Sequence, residues 1–191
     1  MTPDEILQMF RDSKALLTGH FKLTSGRHSD VYYEKFTLLK KPTICTEICR
    51  EMAERFRSLG EVTVVGPTTG GIIIAYDVGR YLGMESIYAE PGDDGGRVFK
   101  RGFSLNKGQR VVIVDDILTT GRSIFEVIDL VRDYGAEITG VGVLLDRSGG
   151  SVEVDYPFHP LAMVSADSWE PADCPLCAKG VELTQRGSRK F

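Results

Sequence analysis

Residues 111–123, VVIVDDILTTGRS, combine two carboxylates with a small-residue turn and carry the clearest chemical signal in the sequence. A run of apolar β-formers delivers Asp115 and Asp116 to the end of a predicted buried strand. The turn 119–123 follows, and a helical pattern then runs from Ile124 to Tyr134. Backbone N–H groups at a helix start attract phosphate, whereas carboxylates accept hydrogen bonds from sugar hydroxyls and stabilise a cation. A ligand that satisfies both halves is a ribose 5-phosphate.

The loop Gly66 to Gly71, GPTTGG, is a second candidate anion site. Its glycines allow the backbone to approach an anion closely, and the helix that follows supplies free N–H groups. An ordinary strand-to-helix turn with threonine as N-cap explains the same residues equally well. No lysine follows the last glycine, so the loop is not a Walker A motif.

The segment 91–102, PGDDGGRVFKRG, holds four glycines and three basic residues, Arg97, Lys100 and Arg101. Glycine hinges around cations suit a lid that closes over a polyanion, although a solvated surface loop is the alternative.

Arg147 follows a later apolar strand. Its guanidinium suits a carboxylate ligand, but it suits an ion pair with a nearby acid such as Asp146 equally.

Alternating strands and helices predict the scaffold that positions these segments. Strands are expected at 62–65, 86–89, 110–114 and 138–145, and helices at 42–59, 72–82 and 124–134. This order indicates an α/β fold, a doubly wound, mostly parallel central sheet with flanking helices. In such sheets ligands bind at the carboxyl ends of the strands, where the three loops leave.

The N-terminal residues and the overall composition bound the remaining possibilities. A capping box starts a helix at Thr2, and 21–35 reads as two short strands around a Ser-Gly turn, so about 1–40 forms a small addition. At 191 residues the whole chain, 1–191, is expected to form one domain. A net charge of −4 argues against nucleic-acid binding. No apolar run is long enough to span a membrane and no secretory signal is recognised, which favours a cytoplasmic protein.

The four cysteines lie as Cys45-x3-Cys49 and Cys174-x2-Cys177. Disulfides are not expected in the cytoplasm. The CPLC motif resembles half of a zinc knuckle, but Cys45 and Cys49 read as core residues of a helix and do not supply the other half. His20, His28 and His159 are scattered without metal spacing. Buried or free thiols are therefore favoured, and no residue is assigned as a metal ligand.

The strand with DDILTTGRS resembles the phosphoribosyl-diphosphate signature of the type I phosphoribosyltransferases. Flanking segments are similar to the orotate phosphoribosyltransferases within that family, and the similarity covers nearly the whole chain. The flanking segments are HFKLTSGRHSDVYYEK (20–35), VGPTTGGIIIAYDVGRYLG (65–83), KRGF (100–103), LLDRSGG (144–150) and the CPLCAKG…GSR tail.

The resemblance implies a reaction of orotate with 5-phosphoribosyl 1-diphosphate that gives orotidine 5′-phosphate and diphosphate, a step of pyrimidine (UMP) biosynthesis. It implies Mg²⁺ held mainly by substrate oxygens, a hood from about 1–40 over the base, and a homodimer in which the lid reaches the partner's site. A phosphoribosyltransferase for another base remains an alternative. So does a non-catalytic regulator that senses the sugar diphosphate.

Individual residues receive roles from the same resemblance. Asp115 and Asp116 would stabilise an oxocarbenium-like transition state, and Lys100 is the preferred catalytic lid cation, ahead of Arg101 and Arg97. Thr119 and Arg147 would contact orotate, and loop 66–71 would take the diphosphate. The residues expected to bind the phosphoribosyl diphosphate are Asp115, Asp116, Ile117, Leu118, Thr119, Thr120, Gly121, Arg122 and Ser123.

Overall fold

A computed structural model describes residues 1–23, 25–93, 95–164 and 168–185. The helices in these ranges are α1 (Pro3–Asp12), α2 (Lys35–Leu39), α3 (Pro42–Phe56), α4 (Gly70–Leu82), α5 (Arg122–Asp133) and α6 (Pro175–Ala178), with 3₁₀ turns at Arg57–Leu59 and Pro171–Asp173. The strands are β1 (Leu16–Lys22), β2 (His28–Tyr33), β3 (Thr63–Pro67), β4 (Ser86–Pro91), β5 (Arg97–Val98), β6 (Arg110–Leu118), β7 (Glu137–Asp146), β8 (Phe158–Met163), β9 (Ser168–Trp169) and β10 (Thr184–Gln185).

The main sheet has the strand order β5-β4-β3-β6-β7-β8. All neighbouring pairs are parallel except β4 with β5, which form an antiparallel hairpin. Helices α3 and α4 cover this sheet on one side and α5 on the other, as the two hydrophobic clusters show. The predicted mostly parallel, doubly wound α/β fold is confirmed.

Strand β6 is buried on both faces, which explains its continuous apolar run. Val112 and Val114 pack in the cluster that contains α3 and α4, whereas Val111 and Ile113 pack in the cluster that contains α5. This alternation follows from the two-residue period of a strand. It also sends the next two side chains, Asp115 and Asp116, toward opposite faces at the same end of the sheet.

Helix α3 approaches strand β7 closely because β7 carries glycine where the two meet. A Cβ atom at Gly142 would lie 2.4 Å from Met52 Sδ, and one at Gly140 would lie 2.9 Å from the Phe56 ring. Any larger residue would displace the helix and the strands that it covers.

A second, smaller sheet carries the hood and has the order β10-β1-β2-β9. Its central hairpin, β1 with β2, is the predicted pair of strands, and both edges are two-residue strands from the C-terminal segment. The capping box at Thr2 is present. Phe10 and Tyr33 share a hydrophobic cluster with the helices of the main sheet, so the hood packs on the core.

Several element boundaries differ from the predicted ones. Strand β6 continues to Leu118 rather than ending at Val114, because β7 pairs with it as far as Leu118 opposite Asp146. Both aspartates therefore lie within the strand. Helix α2 and the strands β5, β8, β9 and β10 were not expected, since each is short or lacks a clear period. Of the helices described, none has the length and apolar character needed to cross a bilayer.

Candidate active site

Asp115 and Asp116 form the floor of the candidate site and are almost completely buried. The N–H of Asp116 donates a hydrogen bond of 2.8 Å to Asp115 Oδ1, and Ser123 Oγ donates one of 2.8 Å to Asp115 Oδ2. Burial and the neighbouring charge of Asp116 raise the pKa of Asp115 to about 7. A carboxyl group with this pKa changes its charge near neutral pH, which is typical of active sites.

Asp116 pairs with a lysine from the hood. Lys35 Nζ lies 2.8 Å from the carboxylate, and the N–H of Ile117 donates a 2.6 Å hydrogen bond to Oδ1. Burial raises the pKa of Asp116, and the Lys35 charge opposes that rise. Leu38 and Leu39 are buried on the core side of α2 and hold Lys35 at the start of this helix over the site.

The glycine loop that follows β3 packs directly against the aspartates. A Cβ atom at Gly70 would lie 1.8 Å from Asp116 Oδ2, and one at Gly71 would lie 3.2 Å from Asp115 Oδ1. The first turn of α4, whose N–H groups have no partner inside the helix, therefore opens beside the carboxylates. The glycines at 70 and 71 are therefore needed for close packing against the carboxylates, and the anion-site interpretation of 66–71 stays a prediction.

The turn after β6 opens a second helix N-terminus at the same edge. Gly121 adopts φ +75°, and no side chain of the described residues caps α5, so the N–H groups of its first turn could bind an anion as ligand. Thr119 and Thr120 are exposed and present hydroxyls, whereas Ser123 is engaged with Asp115. One loop thus carries donors that suit a phosphate beside acceptors that suit sugar hydroxyls.

The other residues of 115–123 contribute less directly. Leu118 is buried in the core, and its carbonyl accepts a 2.8 Å hydrogen bond from the Arg147 N–H. This backbone contact places Arg147 beside the turn that begins at Thr119. Arg122 is exposed and pairs with Glu126 on α5, at 2.7 Å. Ile117 is partly buried and contacts the site through its N–H.

Arg147 stands at the end of β7 with its guanidinium partly buried. It lies over the ring of Tyr33 from the hood, 4.8 Å from the ring centroid, and burial lowers its pKa. Its buried Nε has no hydrogen-bond partner within the described residues. The alternative pairing with Asp146 is not observed, since the side chain of Asp146 accepts from the Ser148 N–H instead. A buried cation that lacks an acidic partner suits an anionic ligand.

The lid segment connects to the site through Arg97 rather than through the preferred Lys100. Arg97 Nη1 donates a 2.8 Å hydrogen bond to Thr68 Oγ1 in the glycine loop, and its Nε lies 3.1 Å from Glu126 of α5. Arg101 pairs with Glu90, at 2.9 Å, and Lys100 is exposed. The role of Lys100 stays a prediction.

The hood is expected over the base, but its pairings with Asp116 and Arg147 are not predicted from the sequence. Lys35 reaches Asp116, and Tyr33 reaches Arg147, although both pairs are far apart in the chain. A single lysine after a short strand gives no local signal of such a contact. Arg27, also in the hood, turns away from the aspartates and pairs with Glu170 and Ser168 of the C-terminal segment. The GSR of the tail lies outside the described residues.

Known proteins resemble this chain in sequence and in fold. Residues 37–176 match the model of the phosphoribosyl transferase domain. The chain is 41% identical to an orotate phosphoribosyltransferase of Desulforamulus reducens and 43% identical to one of Pelotomaculum thermopropionicum, in both cases over 100% of each chain.

Solved structures show the same fold. The crystal structure of an orotate phosphoribosyltransferase from Aeropyrum pernix superimposes with a TM-score of 0.70 at 27% identity, over 83% of this chain and 93% of that one. An adenine phosphoribosyltransferase from Thermoanaerobacter pseudethanolicus superimposes with a TM-score of 0.68 at 18% identity, over 85% of this chain and 100% of that one, so the fold alone does not specify the base. By its matched domain and its full-length relatives, the chain belongs to the phosphoribosyltransferase family and, within it, to the orotate phosphoribosyltransferases.

Proposed function

We propose that this protein transfers the ribosyl 5-phosphate group from 5-phosphoribosyl 1-diphosphate to orotate, releasing diphosphate. The proposal rests on one arrangement: two buried carboxylates stand between two uncapped helix N-termini at one sheet edge. Ribose hydroxyls, a 5′-phosphate and a diphosphate require this order of acceptors and donors. The full-length relatives named orotate phosphoribosyltransferase support the choice of base.

The phosphoribosyl diphosphate would lie across the two loops. The turn 119–123 would hold the 5′-phosphate through the first N–H groups of α5 and the hydroxyls of Thr119 and Thr120. Loop 66–71 would take the diphosphate at the start of α4, with Arg97 beside it through Thr68. Both helix dipoles then favour the negative groups that they face.

Asp115 and Asp116 would accept hydrogen bonds from the ribose 2′- and 3′-hydroxyls. As the bond from C1′ to the diphosphate breaks, positive charge develops on the ribose ring, and carboxylates fixed in a dry site stabilise it. Lys35 neutralises Asp116 in the free protein, at 2.8 Å, and so keeps a charged group in place despite its burial. The oriented carboxylates need little rearrangement when the transition state forms.

The donor atoms here fit a hard cation. Carboxylate and hydroxyl oxygens are the ligands that Mg²⁺ prefers. The proposed ion would be held mainly by substrate oxygens, as the family resemblance implies. Bound Mg²⁺ would neutralise the charge of the diphosphate, and Asp115 and Asp116 are the protein acceptors available to it at this edge.

Orotate would enter between the hood and the end of β7. Its carboxylate would meet the guanidinium of Arg147, which lies over the ring of Tyr33 and whose Nε has no hydrogen-bond partner among the described residues. A planar guanidinium binds a carboxylate through two parallel hydrogen bonds, which uracil and the purine bases do not offer. Thr119 would complete this side of the base site.

A homodimer is the proposed working form. An apolar face on α2, α3 and α4 surrounds a groove of about 370 Å³, and Tyr76 at its rim is 67% exposed. Ile73, which lines the groove, and Phe36 of α2 are also exposed. A second copy of the chain would cover this face, and the family resemblance implies that the lid with Lys100 would then act on the partner's diphosphate.

The hood and the main sheet share one hydrophobic core. We propose that the whole chain acts as one domain, because Phe10 and Tyr33 of the hood pack in the core of the main sheet. The four cysteines form no disulfide, which suits a reducing compartment such as the cytoplasm.

The test is turnover with a panel of bases. The protein is mixed with Mg²⁺, phosphoribosyl diphosphate and one base at a time, and both nucleotide and diphosphate are measured. Orotate should be converted far faster than uracil, adenine, guanine or hypoxanthine. Turnover of another base with none of orotate would overturn the assignment, and binding of the sugar diphosphate without any turnover would indicate a regulator.

A further inference from the structure

Two histidines of the hood lie close to the two cysteines of the CPLC motif. These four residues are not part of the candidate active site. The donor atoms of His20, His28, Cys174 and Cys177 all lie within 4.8 Å of one another. His20 and His28 stand on neighbouring strands of the β1–β2 hairpin, with His28 opposite Lys22 in the register. The cysteines flank the start of α6.

We propose that His20, His28, Cys174 and Cys177 bind one structural zinc ion that fastens the C-terminal segment 171–185 to the hood. This inference is independent of the proposed function. His20 and His28 are the second pair of ligands, which the spacing of the cysteines alone does not reveal.

Three nitrogen–sulfur distances between the donor atoms lie in the range of a tetrahedral site, and the nitrogen–nitrogen distance is slightly shorter. Zinc bonds of about 2.0–2.1 Å to nitrogen and about 2.3 Å to sulfur separate neighbouring ligand atoms by roughly 3.3–3.8 Å. The His20 Nε2 to His28 Nδ1 distance is 3.0 Å, and Cys177 Sγ lies 3.3 Å from His28 Nδ1. Cys174 Sγ and Cys177 Sγ lie 3.4 and 3.7 Å from His20 Nε2. Two nitrogens and two sulfurs in this geometry favour zinc over harder cations.

The hydrogen bonding of His20 prepares it to bind a metal. Its Nδ1 lies 2.8 Å from the carbonyl oxygen of Val181, and because a carbonyl only accepts, Nδ1 carries the proton. In the neutral ring the lone pair is then on Nε2, which lies within hydrogen-bonding distance of His28 Nδ1 and close to both thiols. Zinc-binding histidines are commonly oriented by such a bond from the second ring nitrogen.

The C-terminal segment has little apolar anchoring. Between Pro171 and Gln185, all of which the structure describes, Cys174 is the one residue that is buried. Pairing of β10 with β1 extends over two residues. A segment without apolar burial needs a different source of stability, and a metal site is a usual one in small substructures.

The local backbone is shaped to present both cysteines. The N–H of Ala178 donates to the Cys174 carbonyl, at 3.1 Å, and the N–H of Gly180 donates to the Cys177 carbonyl, at 3.0 Å. Gly180 adopts φ +67°, a conformation that side chains disfavour, and this turn directs the chain back toward the hood. With four protein ligands the site is closed, which indicates a structural rather than a catalytic ion.

The first test is metal content. The full-length protein is made without an affinity tag and purified under reducing conditions without chelator. Elemental mass spectrometry should then find one zinc ion per chain. Replacement of zinc by Co²⁺ should give the intense visible bands of a tetrahedral ion and thiolate-to-cobalt charge transfer. Protein that contains no zinc and takes up none, or an intact mass that shows a Cys174–Cys177 disulfide, would overturn the proposal.

The second test uses variants with matched controls. Cys177→Ser alters an exposed ligand without disturbing the core, and zinc affinity measured by competition with a coloured chelator should fall by more than the roughly 10–100-fold typical of an outer-shell loss. Cys45→Ala and His159→Gln, which alter the same residue types elsewhere, should keep full zinc. Unchanged affinity in Cys177→Ser would reject this ligand set.

The third test measures the structural role on the unaltered chain. Removal of zinc by a strong chelator should lower Tm by on the order of 5–10 °C and expose the segment after Glu170 to protease, and added Zn²⁺ should reverse both. A zinc-loaded protein whose Tm and protease sensitivity do not change on removal would show that the ion does not anchor the segment.

Discussion

Lys35 Nζ lies 2.8 Å from the carboxylate of Asp116, so the hood supplies the charge that balances the more buried aspartate of the site. Tyr33, two residues earlier, lies under the guanidinium of Arg147. One short stretch at the junction of β2 and α2 therefore contacts both the proposed ribose site and the proposed base site. Movement of the hood would change the two together.

Replacement of Lys35 by methionine should move the acidic limb of the pH–activity profile to higher pH. Lys35 lowers the pKa of both Asp115 and Asp116, so its removal raises the pH at which the carboxylates ionise. The measurement is kcat/KM for phosphoribosyl diphosphate as a function of pH. Lys40→Met, at an exposed lysine of the same region, is the control, and identical profiles for both variants would refute the coupling.

Asp116→Asn should lower kcat by about 10²–10³-fold, comparable to the loss of an oxyanion-hole donor. The amide keeps the shape and part of the hydrogen bonding but lacks the charge that stabilises the ribosyl cation. Binding of phosphoribosyl diphosphate, measured by calorimetry, should change much less than kcat. Exposed Asp133→Asn serves as control, and an unchanged kcat in Asp116→Asn would remove the proposed charge role.

The pKa of Asp115 predicts how stability depends on pH. It is about 7 in the folded protein against an ordinary value of 3.8, so the folded state binds the proton more tightly than the unfolded state does. Below about pH 4 the carboxyl group is protonated in both states and does not lower the free energy of unfolding. Between about pH 4 and pH 7 its ionisation lowers that free energy progressively, by on the order of a few kcal/mol.

The comparison of wild type with Asp115→Asn isolates this contribution, because all other groups are shared. The free energy of unfolding of the variant should rise relative to wild type as the pH increases from about 4 to about 7. Urea unfolding at each pH measures it. A difference that stays constant over this range would mean that Asp115 ionises at its ordinary pKa.

Arg147→Met should reduce the preference for orotate over uracil. Methionine keeps an apolar stem against Tyr33, whereas the charge that faces the proposed carboxylate is lost. We expect the orotate KM to rise by about 10²-fold, as for a charge-assisted bond, with a smaller effect on phosphoribosyl diphosphate. Steady-state kinetics with both substrates measure this, and exposed Arg50→Met is the control. An unaltered orotate KM would locate the base elsewhere.

The sequence predicted the parts of this site that follow one another along the chain. Asp115, Ser123 and the start of α5 are close in sequence, and a strand, a turn and a helix fix their relative positions. The parallel arrangement of the sheet is also predictable from the sequence, because alternating β and α elements imply it. The end of β6 was misplaced, because pairing with β7 extends the strand through both polar aspartates.

The sequence does not predict contacts between segments that are far apart in the chain. Lys35 with Asp116 and His20 with Cys174 depend on how the hood and the C-terminal segment fold back, and no periodicity encodes that. The two histidines are eight positions apart, yet the hairpin between them brings a nitrogen of each ring within 3.0 Å of the other. Spacing rules for metal sites assume a short loop between ligands and therefore overlook a pair that spans two strands.

Complementation between inactive variants tests whether the lid acts across a dimer. If Lys100 of one subunit serves the site that contains Asp116 of the other, Lys100→Ala and Asp116→Asn are each inactive alone. Random exchange of subunits makes about half of the dimers mixed, and each mixed dimer has one intact site, so the mixture should recover about a quarter of wild-type activity. Native mass spectrometry verifies the mixed dimers, and Lys107→Ala, outside the lid, should stay active. Mixed dimers without recovered activity would show that Lys100 does not act on the partner's site, and Arg97, which already bonds to Thr68 in its own chain, would then be the lid cation to alter.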